Sequence, residues 1–317
     1  MTTTSNKVLA LFGPTACGKT DLLEKLFSGD DRLIKRPVVV VSADSVQVYR
    51  GLDIGSAKPD ARLLERLPHE LINIRDPRDT FSVGDFVRLA DEACARAVAS
   101  GALPVLSGGT AFYIKAFMLG LPSAPTADGE TRARVQEDFR RLGPKVMLEE
   151  LKEVDPLSAA RIQPADHYRI ARALEVYRSS GRPLSSYELP REPRARWSVL
   201  PLAIDRPRDE LYARINARVD AMLAAGLAEE LRSLVAAGYG PSDPGMRAIG
   251  YAEFFEQGDG DPEKGIAALE QVAERIKLHT RRYAKRQFTF MRALPGVHWF
   301  HPDDTALAAA HIEEFLS

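Results

Sequence analysis

A short unbroken apolar run, Val8–Phe12, leads directly into Gly13-Pro14-Thr15-Ala16-Cys17-Gly18-Lys19-Thr20, and a helical pattern of apolar residues follows from Lys19 to Phe27. Strand, glycine loop and helix in that order restrict the fold more than any other part of the chain. The loop fits G-x-x-x-x-G-K-S/T at every position. Its glycines let successive backbone N–H groups turn inward around an anion, and the helix start adds its positive end. All eight residues, Gly13, Pro14, Thr15, Ala16, Cys17, Gly18, Lys19 and Thr20, are therefore expected to surround phosphate. Lys19 supplies a point charge for the terminal phosphate, and the Thr20 hydroxyl is the expected protein ligand of a Mg2+ cofactor. Such a loop names an anion and not a reaction. On this feature alone a kinase or an ATPase remains open.

The alternation continues downstream. Val38–Val41 is four β-branched residues in a row, the mark of a strand buried on both faces of a parallel sheet, and Leu71–Ile74 is expected to repeat it. Ser82–Asp85 reads as a capping-box variant opening a helix with Val83, Phe86, Val87, Ala90, Cys94 and Val98 on its apolar face. Gly101 ends that helix, and Pro104–Leu106 feeds another strand into Ser107-Gly108-Gly109. From Pro122 to Arg191 the patterns are helical, and Val199–Ile204 then resumes the sheet. Helices are expected over Arg208–Ala225, over Leu227–Ala237 and in a long run from Pro262 to about Ala293. The expected fold is α/β, a P-loop NTPase-like parallel sheet flanked by helices with a small helical domain inserted. Residues 1–121 and 192–317 would form the core domain with its C-terminal helices, and residues 122–191 the insertion.

A length of 317 residues suits two domains better than one compact core. Two cysteines, Cys17 and Cys94, cannot build a disulfide framework or a four-cysteine zinc site, and free thiols fit a reducing cytosol. The stretch Met1–Lys7 is polar and lacks a secretory apolar region, and no segment approaches the length of a membrane span. A soluble cytoplasmic protein with no membrane partner is expected.

The segment Val41-Ser42-Ala43-Asp44-Ser45-Val46-Gln47-Val48-Tyr49 puts Asp44 just beyond the carboxyl end of a strand, on the edge where α/β sheets bind ligands. Asp44 there can be a helix cap, a magnesium carboxylate, or a general base accepting a proton from an amine nucleophile. Gln47, in the same cleft, can pair with a base edge. The wider sequence Asp44-Ser45-x-Gln47-Val48-Tyr49, followed by Gly51-Leu52-Asp53-Ile54-Gly55-Ser56-Ala57-Lys58-Pro59, resembles the hallmark of the tRNA dimethylallyltransferase (isopentenyltransferase) family, bacterial type. The pattern continues through His69–Ile74, Phe81, Phe86, Gly108–Tyr113, Arg172–Tyr177, Ala248–Tyr251 and Thr280–Gln287. These blocks reach from Gly13 to Trp299 in family order. Three positions depart from the family's usual residues: Cys17 for Ser, Ser56 for Thr, and Phe290 for Trp. The first puts a modifiable thiol in the phosphate loop.

The resemblance implies that the phosphate loop holds the diphosphate of dimethylallyl diphosphate, and that Asp44 acts as base toward the N6 amino group of an adenosine beside the anticodon of tRNA. It implies catalytic roles for Thr110, lining the channel where donor and acceptor meet, and for Arg218, neutralising the leaving diphosphate with Lys19 and Mg2+. It also implies tRNA contacts at Asp44, Ser45, Val46, Gln47, Thr110, Arg132, Arg169 and Arg172. Further contacts are implied at Arg247, Gly250, Tyr251, Thr280, Arg281, Arg282, Lys285, Arg286 and Gln287. The target base must leave its stack to enter such a channel, and the enzyme is expected to grip the anticodon stem-loop as a monomer.

The residues themselves supply a candidate RNA surface. Between Arg275 and Pro302 there is no acidic residue, yet seven cations occur: Arg275, Lys277, Arg281, Arg282, Lys285, Arg286 and Arg292. In a chain of net charge −1 such clustering suits a phosphate backbone. Tyr283 and Phe288 interleave with the cations and can stack on bases or pack. Arg169, Arg172, Arg178 and Arg182 suggest a second, weaker basic edge on the insertion. A kinase, a prenyltransferase acting on a free adenine nucleotide, and an RNA-binding module with a vestigial phosphate site are the rival readings. The stripe would be idle in the second of these, and intact Lys19, Thr20 and Asp44 count against the third.

Overall fold

The structure, a computed structural model, describes residues 6–188 and 190–317, so residues 1–5 of the polar N-terminal stretch lie outside it. The chain divides into two compact units, Met1–Met118 with Arg194–Ser317, and Leu119–Pro193.

The first unit is built on six strands: β1 (Lys7–Phe12), β2 (Val38–Ser42), β3 (His69–Glu70), β4 (Leu103–Gly108), β5 (Ser198–Ile204) and β6 (His298–Phe300). Every pairing is parallel, in the order β3-β2-β4-β1-β5-β6. Val8–Phe12 of β1 is wholly buried, because helices cover both faces of the sheet and an apolar run is what such a position requires. The order of the strands changes direction around β1, with β4 on one side and β5 on the other, and the phosphate loop leaves the sheet at that switch. Leu22, Leu26, Leu211, Ile215 and Ile312 pack with β1, β2 and β5 into one core. The helix Val83–Ala99 opens with a complete capping box between Ser82 and Asp85. No described helix is long and apolar enough to cross a membrane.

Three expectations need correction. The third strand is His69–Glu70, not Leu71–Ile74. Leu71 and Asn73 take φ of 66° and 58°, which breaks the pleat, and the N–H groups of Asn73, Ile74 and Arg75 turn to the carbonyls of Gln47 and Val48. The long C-terminal run is two helices, Pro262–Ala267 and Leu269–Met291, separated at Ala268. After them the chain adds β6 and a last helix, Thr305–Leu316, too short and too mixed in pattern to stand out in sequence.

The second unit is helical among its described residues: Gly129–Val154, Pro156–Ala159 and His167–Ser180, with a short turn at Leu184–Ser186. Val135, Met147, Leu151, Ile170 and Leu174 form its core. Gly143, at φ 80° before Pro144, kinks the first helix. Asp155, wholly buried, accepts the N–H of Ser158 at 3.0 Å and that of Ser185 at 2.9 Å. Burial alone would raise its carboxyl, but the bonds to Ser158 and Ser185 outweigh it and hold the group below the usual carboxylate range.

Candidate active site

At the carboxyl edge of the sheet a cleft of about 710 Å³ gathers the phosphate loop, the Asp44 segment, Gly55–Ala57, Gly109, Arg218, Arg247–Gly250 and the inner face of the Leu269–Met291 helix. Every residue lining it belongs to the first unit.

The phosphate loop is a pre-formed cradle. Ala16 and Gly18 adopt φ of 62° and 103°, and the left-handed turn at Gly18 starts the Lys19–Phe27 helix. The N–H groups of Lys19 and Thr20 have no acceptor within the helix, as at any helix start. Lys19 Nζ folds over the loop onto the carbonyls of Gly13 (3.0 Å) and Pro14 (2.9 Å). Two arginines distant in sequence clamp the carbonyl side, Arg214 donating to Ala16 at 2.9 Å and Arg206 to Cys17 at 3.2 Å. Cys17 is fully buried beneath the loop, so the modifiable thiol read from the sequence is shut away in the core.

Opposite stands Asp44. Its Oδ1 accepts the N–H groups of Val46 (2.8 Å) and Gln47 (3.2 Å), so the carboxylate caps its own turn and is fixed in direction, with Oδ2 left to the cleft. Thr110 Oγ1 accepts the N–H of Ser45 at 3.0 Å and its hydroxyl donates to Ser45 Oγ at 3.3 Å, tying the end of β4 to that turn. Gly108 is required there, since a Cβ would lie 2.2 Å from the Ala43 carbonyl oxygen. Gln47 accepts from Ser42 at 3.0 Å and donates to Ala57 at 3.2 Å, so its amide holds the loop together instead of facing a base. Arg218 lines the cleft, and among the described residues no carboxylate pairs with it. Burial pulls its guanidinium below the usual arginine range, partly offset by Asp44. Tyr283, also on the cleft, is pushed up to about 12 by burial and by Asp44.

The rest of the second wall hangs on a residue no motif singled out. Glu230 accepts the N–H groups of Asp53 (3.0 Å), Ile54 (2.7 Å) and Gly55 (3.2 Å) and the hydroxyl of Tyr251 (2.6 Å). Lys58, nearly buried, bonds the Tyr49 carbonyl, Asp53 and Asn73. Tyr251 is thus corrected from an RNA contact to a buried strut. Gln287 lines the cleft but is almost wholly buried, and its amide is already engaged: it accepts the Thr15 N–H at 3.0 Å and donates to the Gly109 carbonyl at 2.6 Å, joining the two loops. Gly250 is buried at φ 105°, its N–H donating to Glu253 at 2.8 Å, and it lines the cleft with Arg247 and Thr280.

The basic stripe narrows. Lys277 pairs with Asp220 and Glu274, Arg275 with Glu256, Arg292 with Asp205, and Arg281 donates to Asn216. Arg282, Lys285 and Arg286 stay exposed with no carboxylate partner among the described residues. Phe288 is half-buried and packs on Trp299 and against the core. On the helical unit, Arg132 and Arg169 are exposed, Arg172 donates to the Pro125 carbonyl at 3.0 Å, and Arg178 is removed from the basic edge by Asp138 and Glu150, each at 2.7 Å.

The profile of the IPP transferase family matches residues 47–294. The chain belongs to this family. As an IPP transferase it is 42% identical to tRNA dimethylallyltransferase 1 of Pelobacter propionicus, over 98% of this chain and 97% of that protein. It is 38% identical to the tRNA dimethylallyltransferase of Geobacillus kaustophilus, over 98% and 95%. The crystal structure of the tRNA isopentenylpyrophosphate transferase from Bacillus halodurans superposes with a TM-score of 0.65 at 33% identity, covering 98% of each chain. The IPP transferase fold is thus the P-loop NTPase-like parallel sheet expected from the sequence.

Donors for a metal are few in this IPP transferase. Among the described residues no group of three or more His, Cys, Asp or Glu could hold an ion. Thr20, on the cleft beside the phosphate cradle, offers one hard oxygen, which fits Mg2+ arriving with a diphosphate that supplies further oxygens.

Proposed function

We propose that this chain transfers a dimethylallyl group from dimethylallyl diphosphate to the N6 amino group of the adenosine adjacent to the anticodon in tRNA, releasing diphosphate. The observation that carries it is one cleft with an anion cradle on one wall and a fixed, outward carboxylate oxygen on the other, with Arg218, which pairs with no carboxylate among the described residues, on its lining. A carboxylate across from a phosphate cradle would also suit phosphoryl transfer; the family and its relatives, named dimethylallyl and isopentenylpyrophosphate transferases, favour prenyl transfer.

In this reading the cradle and Lys19 hold the diphosphate, and Arg218 meets the charge that develops on it. The nitrogen lone pair bonds to C1 of the allyl chain as the C1–O bond breaks. The electron pair of that bond leaves with the diphosphate, and the N6 proton passes to Asp44 Oδ2. Mg2+, when bound through Thr20 and the diphosphate, supplies additional charge neutralisation. Thr110 holds the Asp44 turn in place. Arg247, Thr280, Arg282, Lys285 and Arg286, with Arg132 and Arg169 on the helical unit, are the groups offered to RNA. We read the enzyme as a cytoplasmic monomer, a setting in which its two buried thiols stay reduced.

Asp44→Asn keeps size and polarity but removes the base. Single-turnover transfer should fall about 10²–10⁴-fold, with donor and RNA affinity unchanged. Rescue of the variant by raised magnesium would make Asp44 a metal carboxylate and overturn the assignment.

A further inference from the structure

The chain has 13 phenylalanines, and among them Phe112 (49% exposed) and Phe290 (36%) are the exposed ones. They stand together, ring centroids 6.3 Å apart and planes at 90°. An exposed apolar pair on a surface is ordinary when its members are scattered, but two rings meeting edge to face form a rigid corner. Lys115 Nζ lies 5.6 Å from the Phe290 ring centre, and Arg286 is exposed one helical turn before Phe290. Neither Ala111–Leu119 nor the stretch from Arg275 to Met291, the segments that carry the pair, contains an acidic residue. Aromatic faces in an all-cationic setting match a polyanion with planar groups, and match an apolar protein partner poorly.

The corner is held close to the chemistry by covalent and hydrogen-bonded ties. Phe112 follows Thr110 by two residues, and Thr110 fixes the turn that carries Asp44. Phe290 follows Gln287 by three residues, and Gln287 bridges the phosphate loop and Gly109. We propose that Phe112 and Phe290 form a stacking platform for a nucleobase of the single-stranded RNA loop next to the base that enters the cleft. This rests on the RNA-modifying reading above and names how that same site takes the neighbouring nucleotide. A base laid on one ring is met at its edge by the other, while Lys115 and Arg286 face the adjoining phosphates. The base that leaves its stack loses a neighbour, and the platform replaces the lost stacking on the nucleotide left behind.

The test uses an anticodon stem-loop RNA carrying 2-aminopurine on either side of the target adenosine. Wild-type protein should quench the fluorescence at one of the two positions. The double variant Phe112→Ala with Phe290→Ala should restore the fluorescence and weaken RNA binding about 5- to 150-fold, with donor affinity unchanged. Phe290→Trp should keep the quench. Phe112→Leu with Phe290→Leu preserves apolar surface without a π face and should lose it. Leucine variants that bind and quench like wild type would hand the corner to a protein partner and overturn the proposal, as would absence of quenching by wild type at both positions. Transfer is followed in the same samples. Intact transfer without quenching sinks the platform alone, whereas no transfer by wild type sinks the functional reading and the platform with it.

Discussion

The two loops that face each other across the cleft are held by different means. Gly13–Thr20 is shaped by its own backbone, with turns at Ala16 and Gly18 and a helix start behind it, and its distant clamps Arg206, Arg214 and Gln287 only brace it. The segment from Asp44 to Lys58 has little regular structure and is held mainly by side chains from elsewhere, Thr110 at one end and Glu230 with Tyr251 at the other, with its own Lys58 tied back to Tyr49 and Asp53. A loop of the first kind announces itself in eight consecutive letters. One of the second kind can be recognised as a segment, but what supports it lies as far as 177 residues away in the chain.

Beside the Asp44→Asn change, the largest expected effect is on the self-shaped loop. Lys19→Ala removes one charge aimed at the leaving diphosphate and should lower transfer about 10²–10³-fold while leaving RNA affinity within a factor of about two. A variant that loses RNA affinity and keeps its turnover would put Lys19 in the wrong role.

The propped loop should fail through its prop. Glu230→Gln keeps shape but replaces a charged acceptor of four hydrogen bonds by a neutral one, and should cost about 2–3 kcal/mol of stability. Thermal melting reads this directly, and KM for RNA should rise because Gly55–Ala57 lines the cleft. An unchanged melting curve would show that the wall stands without its carboxylate and erase the contrast between the loops.

Arg282→Ala with Arg286→Ala touches neither loop. RNA binding should weaken about tenfold, and the slope of log affinity against log salt should flatten by roughly one unit per residue lost. Donor binding measured without RNA should not move.

The smallest effect is expected at Asp155, a carboxylate that works locally in the helical unit. Its folded pKa lies below its unfolded one, so the unfolded chain binds more protons as the pH falls. The stabilisation is therefore complete above the usual carboxylate range and drains away on acidification through the lowered folded value. Asp155→Asn should lose about 1–2 kcal/mol at pH 7 and converge on wild type in acid, read from urea midpoints across pH.

What could be seen in the sequence, and what could not, follows the same contrast. β1, β2, β4 and β5 were legible because a strand covered on both faces must be an apolar run. The apolar pattern puts β3 two residues late because Leu71 and Ile74 are apolar yet pack from a turn that serves the Asp44 segment. Lys19, Asp44 and Arg218 line the cleft, whereas Tyr251 carries a motif letter for reasons of support and is wholly buried. Gln287 touches the cleft, but its amide is spent on two backbone groups. Nothing in a linear string separates a residue that touches a ligand from one that holds the residue that does. Glu230 lay outside every motif for that reason, and Phe112 was hidden because exposure is decided by packing.

Gln287 bears one more consequence. Its oxygen takes the Thr15 N–H and its nitrogen gives to the Gly109 carbonyl, while the side chain is almost fully enclosed. Glutamate would set a second oxygen against that carbonyl, leucine or methionine would leave both backbone groups bare, and asparagine is one methylene too short to reach them. In the alphabet of twenty side chains this position has a vocabulary of one word. Mutational drift around the cleft must therefore proceed with that letter standing still, and the spacing between the anion cradle and the Gly109 turn is inherited as a fixed length.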